Sequence, residues 1–238
     1  MAFLPPPLLF KAWLNVLIDI HCHNIEYISP TAVLTLDIDT PIPHQNFFNF
    51  GIHPWSAQTF QLFDIAPRLS TYINDRNFLM LGEIGLDRSC AVDFQSQIDL
   101  FAAQVEFART NNVNTLLIHC VRSLSDILQV INKAHYNGRL VFHDTNFSLQ
   151  DLNHITKLGH FISFGDNLFR ENSKAVQFLT HIDQTKLLLE SGDGNHSTFQ
   201  VYERAAALLE LEVKKLNQRV LKNFQSLFVD HIFPFDFE

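Results

Sequence analysis

Short apolar runs, rich in leucine, isoleucine, valine and phenylalanine, alternate along this chain with longer stretches of helical periodicity. This alternation is typical of repeated strand–helix units around a parallel sheet. Eight runs are predicted as strands, over residues 16–21, 32–36, 47–51, 79–83, 115–119, 139–143, 161–164 and 186–190. Eight is the strand number of a (β/α)8 TIM-type barrel, so the sequence predicts this α/β fold.

The segments between the runs predict an outer ring of helices. Residues 94–111 carry apolar side chains at helical spacing with polar side chains between them. Similar patterns occur at 125–134, at 149–158 and over 199–227, where two helices are expected. No Gly/Ser-rich linker or low-complexity segment interrupts the series. We therefore predict a single barrel domain over residues 1–238, since roughly 250 residues is usual for such a barrel.

Charge and cysteine content limit the classes of protein to which the chain can belong. The formal net charge is -8 at pH 7, which disfavours a protein that coats DNA through its own positive charge. An enzyme that handles phosphates through bound cations is still allowed, because the cations supply the positive charge locally. The three cysteines have no repeated spacing, which argues against a disulfide framework and for a reducing compartment.

The terminal segments and the hydropathy predict a soluble, cytoplasmic protein. The first ten residues are apolar but contain three prolines and no charge, and they make a poor signal peptide. No run of about 18 apolar residues occurs, so a membrane span is not expected. Residues 232–238 carry three phenylalanines that could cover the barrel or meet a partner subunit. Covering is the preferred interpretation, and a monomer is favoured.

Two histidines, His21 and His23, end the first predicted strand. The period of two in a strand places both imidazoles on one face, where they could share a metal ion. The pair alone is a weak indication, because twelve histidines can produce this spacing by chance. Its position is more informative, because the carboxyl ends of barrel strands converge on one mouth, where the active site is built.

Further side chains of metal-ligand type follow other predicted strands, namely Glu83, His119, His143 and an acid near residue 193. Any one of these histidines, taken singly, is better explained as a surface or core residue with a satisfied hydrogen bond. Together they favour a metal site, since buried titratable groups persist only when they are paired or coordinated. Imidazole with carboxylate suits divalent ions such as Zn²⁺ or Mn²⁺, and a set of this size could hold two.

Six motifs occur in an order that resembles one known family. They are Asp19-Ile20-His21-Cys22-His23, Gly51-Ile52-His53-Pro54, Gly82-Glu83-Ile84-Gly85-Leu86-Asp87, Ile118-His119-Cys120, Phe142-His143 and Asn223-Phe224-Gln225-Ser226-Leu227-Phe228. In this order, over residues 16–228, they resemble the TatD family of metal-dependent deoxyribonucleases. The resemblance implies an amidohydrolase-like barrel that holds one or two divalent ions (Zn, Mg or Mn) and cleaves DNA phosphodiester bonds.

The resemblance also implies how the metal ligands are divided. His21 and His23 would bind the first ion, and His119 and His143 would bind the second. Glu83 would bridge the two ions and belong to the catalytic residues. These assignments rest on the matching motifs and on the predicted strand ends together.

Four other residues match positions to which the resemblance gives a role. His53 and Arg122 correspond to positions that the family places near the scissile phosphate. A loop histidine bonded to nearby backbone is the alternative for His53, and a solvated loop charge is the alternative for Arg122. Asp19 and Asp87 would orient ligands, because metal-bound imidazoles usually donate their second N–H to such a group.

One position departs from the family's pattern. After its last strand the family reads Glu-Thr-Asp, and that aspartate is a metal ligand and accepts a proton from the nucleophilic water. This chain reads Glu190-Ser191-Gly192-Asp193. In one interpretation, which we prefer, Asp193 supplies the carboxylate and Gly192 lets the backbone turn it inward. In the other, Asp193 is a turn residue that points to solvent, and the site binds metal but hydrolyses poorly.

Two other functions remain open from the sequence. The same barrel and ligands also serve the hydrolysis of small molecules. An acidic protein accommodates a small substrate more easily than a polymeric anion. A nuclease should carry a basic or aromatic lip, for which Trp55, Arg88 and Arg170 are candidates without forming a cluster in the sequence. Packing under its own loop is the alternative for Trp55, and solvated charge is the alternative for both arginines. The third possibility is a metal-binding homologue with weakened catalysis, because Gly192 replaces the aspartate.

Overall fold

Eight parallel strands in chain order form one sheet in the computed structural model, which describes residues 17–24, 31–36, 40–43 and 46–229. Each strand pairs with its neighbours in parallel. The strands are β1 (Asp19–Cys22), β2 (Ala32–Leu36), β3 (Phe47–Phe50), β4 (Phe78–Asp87), β5 (Thr115–Val121), β6 (Arg139–Phe142), β7 (Phe161–Phe164) and β8 (Leu187–Leu189). The predicted (β/α)8 fold is confirmed.

A short backbone bridge between β1 and the residues after β8 closes the barrel. Gly192 N donates to His21 O at 2.9 Å, and His23 N donates to Gly192 O at 3.0 Å. Gly192 adopts a φ of 55°, a conformation that glycine takes without steric cost. The residue at which the chain departs from the pattern that it resembles therefore lies at the closure of the barrel.

The described part of the chain contains seven α-helices, which follow the strands. They are α1 (Leu62–Ser70), α2 (Phe94–Thr110), α3 (Leu124–Lys133), α4 (Leu149–Lys157), α5 (Lys174–Phe178), α6 (Thr198–Leu208) and α7 (Val213–Leu227). The four predicted helical regions correspond to α2, α3, α4 and the pair α6 and α7. The sequence did not predict α1, which contains a proline at position 67, or α5, which is only five residues long.

Local hydrogen bonds explain where the helices begin. The Asp93 side chain accepts from Ser96 N at the start of α2. Ser197 and Gln200 form a capping box at the start of α6, in which each side chain accepts from the other residue's backbone N–H. The carboxyl ends of β4 and β8 are thus followed by helices whose first residues are fixed.

Phenylalanine fills much of the core. Seven of these side chains are fully buried: Phe48, Phe50, Phe101, Phe142, Phe161, Phe164 and Phe224. Five of them lie on β3, β6 and β7, strands that are largely apolar on both faces, as is usual for a parallel sheet that is covered by helices outside and packed inside the barrel. Phe101 lies on α2 and Phe224 lies on α7. These aromatic rings therefore supply packing volume and do not line the mouth.

Two strands continue past their predicted ends. β4 reaches Asp87 and β5 reaches Val121, where the sequence predicted ends at Glu83 and His119. The pairing of Gly85 with His119 explains the difference, because a Cβ on Gly85 would lie 2.0 Å from His119 O, so only glycine permits this close approach. Glu83 and His119 consequently lie inside strands, on the face that points into the barrel mouth.

Some expectations fall outside the described residues. The phenylalanine-rich segment 232–238 and the first ten residues belong to the parts of the chain on which the structure gives no description. Across the described ranges, every helix is too short or too polar to cross a lipid bilayer.

Candidate metal centre

Glu83 occupies the middle of a cavity of about 390 Å³ at the carboxyl end of the barrel. Its Oε2 lies 3.3 Å from Nε2 of His21 and 3.4 Å from Nε2 of His23. The two imidazoles of the His-x-His pair are themselves 3.0 Å apart between their Nε2 atoms. Both therefore point to the same side of the carboxylate, as the period of two in β1 predicts.

The second oxygen of Glu83 meets three other imidazoles. Its Oε1 lies 2.7 Å from Nδ1 of His119, 2.8 Å from Nε2 of His143 and 3.2 Å from Nε2 of His53. His119 lies inside β5, while His53 and His143 follow β3 and β6, and the convergence of the barrel brings the three together. A single carboxylate thus contacts five imidazoles.

Two groups of ligand atoms are close enough to hold one ion each. One group is His21, Glu83 and His143, and the other is His53, Glu83 and His119, with the atoms of each group within 4.8 Å of one another. This division differs from the expected one, in which His21 was grouped with His23 and His119 with His143. The geometry brings His53 into ligand range, where the sequence suggested phosphate binding.

Glu190, which directly follows β8, is a site residue that the sequence reasoning missed. Its Oε1 lies 3.5 Å from Nδ1 of His21 and 3.4 Å from Nδ1 of His143, and it accepts from Asp144 N at 3.0 Å. Its Oε2 accepts a short hydrogen bond from the Ser163 hydroxyl. The carboxylate is completely buried, so it fixes the outer nitrogen of two candidate ligands from beneath the site.

The charges of the site favour bound cations. Burial by itself raises the pKa of Glu83, but the neighbouring His143 and hydrogen bonds from imidazoles hold this pKa well below its usual range. Burial also raises the pKa of Glu190, yet hydrogen bonds from His143 and His21 bring this pKa to about 2. Burial and His143 lower the pKa of His21, while Glu190 and Glu83 raise this pKa to about 9. The buried carboxylates thus stay ionised beside the imidazoles, and the imidazole and carboxylate donors fit Zn²⁺ or Mn²⁺, whose binding would release the protons of the imidazoles.

The carboxylates of Asp87 and Asp19 have different hydrogen-bond partners. Asp87 Oδ2 accepts from Trp55 Nε1 at 2.7 Å and lies 3.5 Å from Nε2 of His119, a position from which it could orient that imidazole. The expected orienting role of Asp19 is not what its contacts show. Its carboxylate accepts instead from Ser191 N at 3.0 Å and from Thr198 Oγ1 at 2.6 Å, because it lies at the barrel closure.

Asp193 lies at the rim of the cavity. Its side chain is 83% exposed, and its Oδ1 is 4.0 Å from Nε2 of His23. It belongs to neither group of clustered ligand atoms in the described chain. By contrast, a Cβ built on Gly192 would have its nearest neighbour at 3.7 Å, the Oε1 atom of Glu190, so the family's aspartate would have room to project toward the buried site.

Arg122 follows β5 directly and has an exposed side chain. It lines a second cavity of about 870 Å³ beside the metal centre and not the cavity around Glu83. The two cavities share His119, His143 and Asp144 in their walls. His53, the other residue expected near a phosphate, accepts from Trp55 N through Nδ1 and faces Glu83 through Nε2.

The chain is similar in sequence and in fold to known proteins. The family model described as TatD related DNase matches residues 20–229. No curated protein sequence gives a significant match. The fold is similar to that of YJJV, a TatD homolog from Escherichia coli K12, with a TM-score of 0.75 and 18% identity over 91% of this chain and 99% of that chain.

Two eukaryotic structures show the same fold. A hydrolase TatD family protein from Entamoeba histolytica has a TM-score of 0.69 and 14% identity, over 83% of this chain and 84% of that chain. An uncharacterized amidohydrolase from Saccharomyces cerevisiae has a TM-score of 0.65 and 14% identity, over 83% of this chain and 88% of that chain. At these identities the structural matches establish the barrel fold.

Proposed function

The chain belongs to the TatD family, and on this basis we propose that it is a divalent-metal-dependent hydrolase that cleaves the phosphodiester bonds of DNA. The observation that carries the proposal is Glu83, whose two oxygens lie 2.7 to 3.4 Å from ring nitrogens of five histidines. The family description, a DNase, supports the substrate class.

The candidate ligand groups assign residues to the ions. His21, Glu83 and His143 would hold one ion, and His53, Glu83 and His119 would hold the other. His23, 3.4 Å from Glu83, would complete the first group. When bound, divalent ions supply Lewis acidity, which activates water and neutralises charge that develops on a phosphoryl group. Measurement of the bound metal would identify the ion as Zn, Mg or Mn.

Other residues of the chain would support the reaction. Glu190 and Asp87 hold imidazoles in fixed orientations, a contribution that metal sites commonly need. Asp193 would accept the proton of the attacking water from its position beside His23. Arg122 would contact a phosphate from the adjoining cavity.

The test combines metal content with nuclease activity. Purified wild-type protein is assayed for bound metal and for Mg²⁺- or Mn²⁺-dependent release of nucleotides from DNA, beside Asp193→Ala and the control Glu203→Ala, an exposed acid on α6. We expect the control to retain full activity and Asp193→Ala to lose most of it. Equal activity of Asp193→Ala and wild type overturns the role of Asp193. Bound metal without phosphodiester cleavage under any tested ion overturns the nuclease proposal.

A second candidate function is favoured by the exposure of Asp193. If this carboxylate stays in solvent, the barrel is a metal-binding homologue with weakened catalysis or a hydrolase of small molecules such as amides or lactones. The net charge of -8 is compatible with a small substrate. Hydrolysis of small esters or amides by metal-loaded protein that leaves DNA intact would favour this candidate.

We further propose that residues 1–238 act as one cytoplasmic domain and as a monomer. The free cysteines Cys22, Cys90 and Cys120 fit a reducing compartment. Light scattering of the purified protein tests the monomer, which a mass of twice 27.4 kDa would contradict.

A further inference from the structure

The cavity of about 870 Å³ beside the metal centre is built from the loops that follow β5, β6 and β7. Since it shares His119, His143 and Asp144 with the cavity around Glu83, the two spaces adjoin at the candidate metal ligands. Its volume lies within the range of about 300–1,000 Å³ that is usual for ligand pockets. A substrate longer than the bond being cut would extend into this space.

Three cationic side chains line this cavity: Arg122, Arg170 and Lys174. All three are exposed, and none of them forms an ion pair with another residue of the described ranges. The Arg170 guanidinium makes one hydrogen bond, from Nη1 to Asn167 Oδ1 at 3.3 Å. In a chain of net charge -8, unpaired cations that face one cavity next to a candidate active site indicate a binding site for anions.

Two acids also line the cavity, and both accept hydrogen bonds from neighbouring residues. Asp144 accepts from Asn167 N at 3.1 Å, from Asn167 Nδ2 at 2.8 Å and from Gly165 N at 3.3 Å. Asp151 accepts from Ser148 Oγ at 2.6 Å in the first turn of α4. Their charge reduces the positive potential of the cavity without pairing with its cations.

We propose that this cavity binds the phosphodiester next to the scissile one, through Arg170 and Lys174. The inference rests on the proposed nuclease function and extends it. A single diester needs the cavity around Glu83 and Arg122 beside it, whereas a strand that continues past the metal centre brings a further phosphate to Arg170 and Lys174. The contacts are to backbone phosphates, so binding would be independent of base sequence.

The test compares substrates of two sizes on the protein as purified. The double variant Arg170→Ala/Lys174→Ala is compared with the charge-matched control Lys215→Ala/Lys222→Ala on the exposed face of α7. The substrates are bis-p-nitrophenyl phosphate and oligothymidylate of about ten nucleotides, within the usual range of single-strand site sizes. We expect the double variant to raise KM for the oligonucleotide about tenfold and to leave kcat/KM for the small diester unchanged.

Salt dependence provides a second readout that a merely structural defect would not change selectively. The slope of log KM against log salt for the oligonucleotide should become shallower by about 1 to 2 in the double variant, since each lost phosphate contact removes about one released counterion. The control should keep the wild-type slope. Equal KM and slope in the double variant and the control overturn the proposal, as does an equal loss on both substrates.

A measurement of binding without turnover distinguishes failure of the phosphate site from failure of the nuclease function. The affinity for a phosphorothioate oligothymidylate, measured by fluorescence anisotropy, requires no turnover. If wild type cleaves no DNA but binds the oligonucleotide about tenfold more tightly than the double variant, the phosphate site stands and the nuclease function fails. If wild type cleaves DNA, and wild type and the double variant bind the oligonucleotide with equal affinity, the phosphate site fails and the nuclease function stands.

Discussion

At the scale of single residues, Glu190 is the side chain whose removal should most affect metal binding without touching a metal ion. One of its oxygens lies within 3.5 Å of Nδ1 of both His21 and His143. Replacing it by Gln keeps the size but presents an amide in place of a full carboxylate. Because outer partners of metal-bound imidazoles typically contribute 10- to 100-fold in affinity, we expect a loss of about that size in Glu190→Gln.

Competition with a chromophoric chelator measures this affinity, and Glu203→Gln on the exposed face of α6 serves as the control. Circular dichroism establishes that the variant folds. A folded Glu190→Gln protein with wild-type affinity for Zn²⁺ and Mn²⁺ would show that this carboxylate does not support the ligands.

Gly192 allows the family's carboxylate to be restored. A Cβ there meets no atom closer than 3.7 Å, and its φ of 55° is one that Asp and Asn adopt more readily than other side chains. We therefore expect Gly192→Asp to raise DNA hydrolysis or metal affinity about tenfold, which is the effect of about 1.4 kcal/mol. Gly192→Asn is the matched control, since it has the same shape without the charge. Equal gains in both variants would show that charge at this position is unimportant.

The sequence predicted the residues of the site better than their grouping. His21, His23, Glu83, His119 and His143 were all expected at the mouth, because motif and strand position agreed on them, and all of them line one cavity. Which imidazole lies beside which depends on how side chains from non-adjacent strands cross the barrel, and local sequence carries no information on that. Glu190 was overlooked because its segment was considered for its aspartate alone.

At the scale of elements, His160 couples the end of α4 to β6. Its Nδ1 accepts from Leu140 N at 3.3 Å, and burial, with Arg139 and Lys186 nearby, lowers its pKa from 6.5 to about 4. Between these values the unfolded chain binds a proton that the folded chain does not, so stability falls as the pH drops from 6.5 to about 4. At about 1.4 kcal/mol for each pKa unit, His160 should account for about 1 to 3 kcal/mol of this loss.

Urea denaturation at several pH values checks this expectation. His160→Gln keeps a hydrogen-bond acceptor that does not titrate, so its free energy of unfolding should decline less than that of wild type below pH 6.5. His181→Gln changes an exposed histidine and serves as the control. Parallel pH profiles for His160→Gln and wild type would contradict the assignment.

The elements also show why strand ends were mispredicted. Gly82 and Gly85 flank Glu83, and glycine ordinarily weakens a strand. In this fold each lies against β5 with no space for a Cβ, since its nearest contact would be 2.4 Å for Gly82 and 2.0 Å for Gly85. Glycine is required at both positions because the neighbouring strand β5 leaves no space for a side chain, and the local sequence does not show this. A pattern of residues within one segment could therefore place β4 but could not set its length.

At the scale of the whole molecule, charge and topology act together. The chain carries a net charge of -8, so any affinity for a phosphate polymer must come from local positive charge. The barrel provides this by bringing the loops after β5, β6 and β7 to the same rim, where Arg122, Arg170 and Lys174 line one cavity. In the sequence, Arg122 and Arg170 belong to separate loops and Lys174 carries no motif, because only the folded chain places the three on one wall.

Barrel closure depends on Asp19, which joins the first strand to the residues that follow β8. Its carboxylate accepts from Ser191 N, 172 residues away, and from Thr198 Oγ1, 179 residues away. Asp19→Ala leaves two buried donors without a partner, each at a cost of about 1–3 kcal/mol, so we expect a loss of about 2 to 6 kcal/mol in the free energy of unfolding. Asp19→Asn keeps an acceptor for Ser191 N and a polar group for Thr198, and it should lose less than about 1.5 kcal/mol.

These unfolding measurements should be made in excess chelator, because a metal ion that binds only the folded state adds its own stabilisation to the measured free energy. The backbones of His21 and His23 hydrogen-bond to Gly192, and the preceding residue, Ser191, donates its N–H to Asp19. Loosening the closure should therefore also disturb the His-x-His pair. Asp19→Ala is thus expected to bind Zn²⁺ more weakly than Asp19→Asn when both are folded. Equal stability of the two variants would mean that the barrel is closed by the backbone bridge alone.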